Sequence, residues 1–230
     1  AIPHYRTALA LRPRYPEAHK NLGDALAAVS RHSDACSHYE AALALQPEYV
    51  DALNNHGNSL TALRRPEAAI TQYLRALDIA PNFAEAQSNL GVALAALARH
   101  DEALACFEKA ITLKCDYAEA YYNKANSLAA LGRPHEAIER YQQAVALDAN
   151  YAAAHYNLGT ALAALNRHEE SVASFDRALA IDPAYPDAAW NRSLGLLALG
   201  RLREGLPGYE SRWARAAALR ARSGEIVPSV

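Results

Sequence analysis

The stretch NFAEAQSNLGVALAALARHDEALACFEKAITLKC, Asn82–Cys115, decides the fold. Apolar residues return at helical spacing on both sides of a break at Arg99. The spacing predicts one helix over Ala84–Ala98 and a second over His100–Leu113. Asp101 and Glu102 open the second segment, where acidic side chains complement the positive end of a helix.

The same pattern recurs every 34 residues along the chain. Pro13, Pro47, Pro81 and Pro183 mark the close of a unit, with Cys115 and Ala149 in the two intervening places. An aromatic returns at Tyr5, Tyr39, Tyr73, Phe107, Tyr141, Phe175 and Tyr209, and a small residue follows three later at Ala8, Ala42, Ala76, Ala110, Ala144 and Ala178. Glycine recurs at Gly23, Gly57, Gly91 and Gly159, with Ala125 and Ser193 in register. Arg31, Arg65, Arg99, Arg133, Arg167 and Arg201 mark the turn, and Gly132 and Gly200 stand just before it, as a left-handed helix end prefers. The closing proline, or the residue in its place, is expected to end each second helix.

A small residue, Gly, an aromatic and a closing Pro at this period resemble the tetratricopeptide repeat family. The resemblance runs from Ala1 to about Trp213, and it departs from the family in the first helix, where His, Leu or Ala mostly replace Trp and Tyr. It implies an all-α, right-handed α-solenoid of antiparallel helix pairs, with the first helices lining a concave face. The expected divisions are an orphan second helix over 1–14, five full units over 15–184, a divergent sixth unit with a capping helix over 185–222, and a tail over 223–230.

Glu17 is counted as position 2 of its unit. Positions 3, 7, 10 and 14 then form an apolar stripe, and positions 2, 6, 9 and 13 form a second stripe beside it. Position 6 is Asn in every first helix: Asn21, Asn55, Asn89, Asn123, Asn157 and Asn191. Helix propensity disfavours Asn by about 0.6 kcal/mol against Ala, so propensity does not explain the row. Position 13 is Ala throughout, which leaves room beside the row. In the family this stripe lines the groove. A row of amides offers donors and acceptors to the backbone of an extended peptide. The competing role is structural, with each Asn tying neighbouring repeats together, and the two roles are compatible. Asn58 and Asn126 extend the polar stripe at position 9. Tyr122, Tyr156 and Trp190 at position 5 offer apolar contact to a ligand or pack against the next helix. Position 2 is mostly acidic, as at Glu17, Asp51, Glu85 and Glu119. That argues against a basic clamp for a C-terminal carboxylate and favours basic or neutral segments.

The end of the chain changes character. Gly205, Pro207 and Gly208 predict a last helix starting near Pro207 and running to about Arg222. Together with the Asn row, Tyr209, Glu210, Arg212 and Trp213 look like the element that closes the repeats in bacterial proteins continuing into a glycosyltransferase-like domain. The Asn row is also similar to the repeat region of O-linked N-acetylglucosamine transferases. That likeness implies a substrate-recruiting arm as the alternative to a free-standing protein scaffold. A third reading is a self-assembling scaffold.

Other classes find little support. The net charge is −2, although residues 201–230 hold six Arg against three Glu, so nucleic acid is not an expected partner. No apolar run reaches the length of a membrane span, and no membrane partner is expected. Cys36, Cys106 and Cys115 are odd in number and irregular in spacing, which suggests free thiols and a reducing, cytoplasmic setting. His32, His100 and His168 share one turn position but stand two repeats apart, too far for one metal. With no phosphate loop, nucleophile elbow or zinc motif, the expectation is no enzyme, no metal and no cofactor. The sequence contains no Met and opens at Ala1, so it reads as a fragment with further repeats before it. The apolar face of the first helix, Ile2, Tyr5 and Leu9, is then expected to be exposed and prone to self-association.

Overall fold

The computed structural model describes residues 1–209. They form helices joined by short turns, with no strand among the described residues. In chain order these are α1 (Ile2–Leu11), α2 (Pro16–Ala27), α3 (His32–Leu45), α4 (Val50–Ala62), α5 (Pro66–Ile79), α6 (Ala84–Ala96), α7 (His100–Leu113), α8 (Ala118–Ala130), α9 (Pro134–Leu147), α10 (Ala152–Ala164), α11 (His168–Ile181) and α12 (Pro186–Ala198). A further helix, α13, opens at residue 202 and continues to 209.

The chain divides into two compact halves, Ala1–Ser127 and Leu128–Val230. In the first, α2 packs on α1, α3 and α4, α4 on α5 and α6, and α6 on α7. In the second, α10 packs on α9, α11 and α12, and α11 on α12.

Each hairpin closes in the same way. The residue before the turn arginine is left-handed in every repeat: Ser30, Arg64, Ala98, Gly132, Asn166 and Gly200 have φ between 57° and 73°. The amide of the following arginine then donates to the carbonyl five residues earlier, from Arg31 N to Leu26 O through Arg201 N to Leu196 O, at 2.9–3.0 Å. This doubled-back bond satisfies carbonyls that a helix end otherwise leaves open.

The recurring glycines are contact points rather than turn residues. A Cβ on Gly23 would stand 2.6 Å from the Tyr39 ring, on Gly57 2.4 Å from Tyr73, on Gly91 2.6 Å from Phe107 and on Gly159 2.7 Å from Phe175. Each aromatic lies against the bare backbone of the first helix of its own repeat and is almost wholly buried. The small residue three places after it, Ala42 through Ala178, is buried completely.

Four expectations change. The core stripe runs through positions 3 and 11, where every Ala and every Leu is buried, and not through position 14, where Leu63 and Leu131 are more than a third exposed. First helices end at position 12 or 13, so position 14 has left the helical face; for the same reason α6 stops at Ala96, short of Ala98. Second helices end two residues before the closing proline or the residue in its place: α7 and α9 end at Leu113 and Leu147, the same register as the others, with Cys115 and Ala149 in place of the proline.

The third change concerns α13, which starts at residue 202 and not at Pro207. Arg201 repeats the turn, and Gly205 N already bonds Arg201 O at 3.0 Å. Pro207 is carried inside the helix. Gly205 and Gly208 allow close packing on α12: a Cβ on Gly208 would strike the Ser193 hydroxyl, and Ser193 is the residue that replaces the usual glycine. The predicted end near Arg222, with Glu210, Arg212 and Trp213, lies outside the described residues. Fourth, Ile2, Tyr5 and Leu9 are half-buried and pack against Leu22, Leu26, Ala35 and Tyr39.

Candidate peptide groove

The first helices place positions 2, 6, 9 and 13 on one strip in each half. Every position-13 alanine is exposed, and every position-6 asparagine is half-buried. The strip is therefore open to solvent along its small and acidic positions, with the amides set lower.

The amides do not all behave alike. Asn55 Nδ2 donates to Asp24 Oδ1 at 2.9 Å, Asn89 Nδ2 to Asn54 Oδ1 at 3.0 Å, and Asn191 Nδ2 to the Tyr156 hydroxyl at 3.2 Å. In each case the acceptor is position 5 or 9 of the preceding first helix, so these three asparagines tie repeat to repeat. Asn21 lies on the first of the described first helices, and for Asn123 the residues at those positions are Ser88 and Val92. Neither makes a side-chain hydrogen bond within the described residues. Asn157 is half-buried in the same register.

Position 9 carries a second job. The Tyr39 hydroxyl donates to Asp24 Oδ1 at 2.8 Å, and the Tyr73 hydroxyl donates to Asn58 Oδ1 at 2.8 Å. At Val92 and Thr160 the aromatic is Phe107 or Phe175, whereas Leu194 is matched with Tyr209. The match of Tyr39, Tyr73 and Tyr141 with Asp24, Asn58 and Asn126 is legible in the sequence and singles out Asp24. Burial drives the Tyr39 phenol far above its ordinary range, with the neighbouring Asp24 carboxylate adding to it. Burial also pushes Tyr73 up to about 12. Lys20 completes the Asp24 cluster with an ion pair at 2.8 Å.

Two sockets open between successive first helices. In the first half, Asp24, His32, Asn55 and Asn58 line one of about 270 Å³. In the second, Thr160, His168, Asn191 and Leu194 line one of about 370 Å³. They occupy equivalent places in their repeats, and the Nδ1 of His32 and of His168 is buried without a hydrogen-bond partner among the described residues. The first socket is polar and holds a carboxylate; the second is walled by Leu194, Phe175 and alanines.

The position-5 aromatics are engaged within the chain. The Tyr156 ring centroid lies 4.9 Å from Tyr185 and 5.8 Å from Phe175, and Trp190 stacks on Tyr209 at 5.1 Å. Tyr122 and Asn126 are half-buried on the first helix α8. On the acidic edge Glu85 pairs with Lys114 at 3.5 Å, whereas Glu17, Asp51 and Glu119 form no ion pair among the described residues. No group of His, Cys, Asp and Glu able to hold a metal occurs among the described residues, and no described helix is long and apolar enough to cross a membrane.

Two tetratricopeptide repeat family models match the chain, one over residues 1–50 and 122–186, the other over 48–116 and 82–150. The chain belongs to the tetratricopeptide repeat family. Proteins of this family generally mediate protein–protein interactions. Among solved structures, this tetratricopeptide chain is similar to MamA, at 25% identity over 70% of this chain and 95% of that one, with a TM-score of 0.63. It is similar to YrrB, described as a TPR protein with an unusual peptide-binding site, at 23% identity over 82% and 97% of the two chains, TM-score 0.62. It shares its fold with PilF of Pseudomonas aeruginosa at 16% identity over 84% and 88%, TM-score 0.76. No curated protein matches the chain.

Proposed function

We propose that the strip of first-helix positions 2, 6, 9 and 13 holds an extended peptide or a flexible segment of a partner protein. The observation that carries this is the pair of amides, Asn21 and Asn123, that make no side-chain hydrogen bond among the described residues, on a strip opened to solvent by its exposed alanines and mostly exposed acidic residues. An unpaired carboxamide beside open space offers a donor and an acceptor to any peptide group. Asn55, Asn89 and Asn191 spend a donor on the neighbouring repeat and keep their strip-facing role secondary to stacking. Unpaired Glu17, Asp51 and Glu119 favour a basic or neutral segment. The apolar socket at Leu194 suits an aliphatic side chain, and a TPR protein of similar fold is described as having a peptide-binding site.

The test compares two double variants by partner capture from lysate and by thermal melting. Asn21→Ala/Asn123→Ala is expected to keep the melting temperature and lose partners. Asn55→Ala/Asn89→Ala is expected to melt lower. If the first variant melts normally and keeps every partner, the free amides do not hold the ligand. The transferase-arm reading rests on the Asn row and the Tyr209–Trp213 element, and the gene sequence beyond Val230 decides it.

A further inference from the structure

A cleft of about 590 Å³ lies between the second helices α5 and α7, above the first turn of α6, and none of the strip residues lines it. Its volume is in the range of sites that hold small ligands or side chains. Leu77, Pro81 and Leu113 form apolar walls. At the base sits Gln87, only 8% exposed, whose carboxamide makes no hydrogen bond within the described residues.

Two other repeats show what a ring can do at this position. Gln87 is position 4, which is His19 and His155 in those two and Leu53, Tyr121 and Ala189 in the rest. His19 Nε2 bonds the Pro13 carbonyl at 3.0 Å, and His155 Nε2 bonds the Ala149 carbonyl at 3.2 Å, each six residues back. The equivalent carbonyl for Gln87 belongs to Pro81, which lines the cleft, and that bond is not made. The imidazole that ties and fills this corner in two repeats is replaced by an amide that does neither. Its amide atoms are not sealed from solvent, so their donor and acceptor are open to a group that enters the cleft. At the rim the Glu108 carboxylate is taken by Lys124, while Lys109 has no ion-pair partner among the described residues.

We propose that this cleft is a second peptide-binding site, distinct from the first-helix strip, which takes an aliphatic side chain next to an acidic residue. The aliphatic group packs on Leu77, Pro81 and Leu113. Its peptide group pairs donor to acceptor and acceptor to donor with the Gln87 carboxamide. The neighbouring carboxylate meets Lys109.

The experiment is an NMR titration of the full chain with acetyl-Leu-Glu-amide at millimolar concentration. Saturable shifts are expected in the Gln87 side-chain NH₂ and the Leu77 and Leu113 methyls, with the Asn21 and Asn123 amides unmoved. Gln87→His restores the residue type of two other repeats and should weaken binding about tenfold, as expected for one lost hydrogen-bonded pair. Ala105→Phe fills the cleft from an exposed lining position and should do the same, whatever Gln87→His does to folding. Lys109→Gln should remove the preference for acetyl-Leu-Glu-amide over acetyl-Leu-Gln-amide. No saturable shift in the parent chain, or unchanged binding by a folded Gln87→His or Ala105→Phe variant, overturns the proposal.

Discussion

Asn55 donates to Asp24 at 2.9 Å across two consecutive first helices, and the same Asp24 oxygen accepts the Tyr39 hydroxyl at 2.8 Å. One carboxylate thus joins both helices of its repeat to the next repeat, with Lys20 balancing its charge. Asp24→Ala leaves a buried phenol without its acceptor and should cost about 2–3 kcal/mol in urea unfolding, the range for hydrogen bonds to a charged group. Asp24→Asn, which keeps an acceptor as Asn58 does for Tyr73, should lose roughly half of that. Equal losses for the two variants would mean that the charge, not the acceptor, carries the contact.

His56 stands where Leu22, Leu90 and Leu158 stand in other repeats. It is 5% exposed, and neither ring nitrogen has a hydrogen-bond partner among the described residues. Burial lowers its pKa from 6.5, against the attraction of Glu40 and with the repulsion of Arg75 and Arg65. The unfolded chain therefore binds the proton first, so stability is full above about pH 6.5 and falls as the pH drops below it. His56→Leu should raise stability by about 1–3 kcal/mol and make that decline shallower. Some slope remains, since burial also lowers His38 and His155. Melting curves between neutral and mildly acidic pH check both points, and an unchanged slope would remove His56 from the account.

Gly57 has the tightest of the repeated glycine contacts, 2.4 Å from a built Cβ to the Tyr73 ring. Tyr73 is fully buried, and its hydroxyl is held by Asn58, so the ring has little freedom to retreat. Gly57→Ala should destabilise by roughly 1–3 kcal/mol, the usual cost of overpacking. Adding Tyr73→Leu should recover part of the loss. Additive losses in calorimetry would show that the ring is not the obstacle.

Ala98 holds φ at +57° in a register that Gly132 and Gly200 also occupy. A non-glycine residue there is strained by about 1–2 kcal/mol, partly offset by the extra freedom of glycine in the unfolded chain. Ala98→Gly should therefore stabilise by roughly 0.5–1 kcal/mol. Gly132→Ala should do the reverse through backbone strain alone, because no atom lies within 4 Å of its Cβ position.

Much of this was legible before any coordinates. The 34-residue period, the second helix His100–Leu113 and the left-handed register before each arginine are local patterns repeated six times. Repetition makes a weak signal strong. The errors fell where one copy departs from the rest. Gly205 and Gly208 suggest a late helix start in one dimension, where a glycine that breaks a helix and one that admits a neighbour look the same. The cover of Ile2, Tyr5 and Leu9 is not visible along the chain, because it comes from α2 and α3 of the following repeat.

The sequence by itself determined the repeat, the helix pairs and the placing of one asparagine at the same position of every first helix, since these depend on residue spacing along a helix of known pitch. Only the tertiary structure decided what each asparagine does. The acceptors of Asn55 and Asn89 lie 31 and 35 residues away, and reaching them depends on how far one helix is shifted and rotated against the next. That offset is set by the packing of Ala, Leu and aromatic side chains between the helices, and a difference of an ångström or so separates a tied amide from a free one. The same packing leaves Gln87 facing an open cleft where His19 and His155 close theirs.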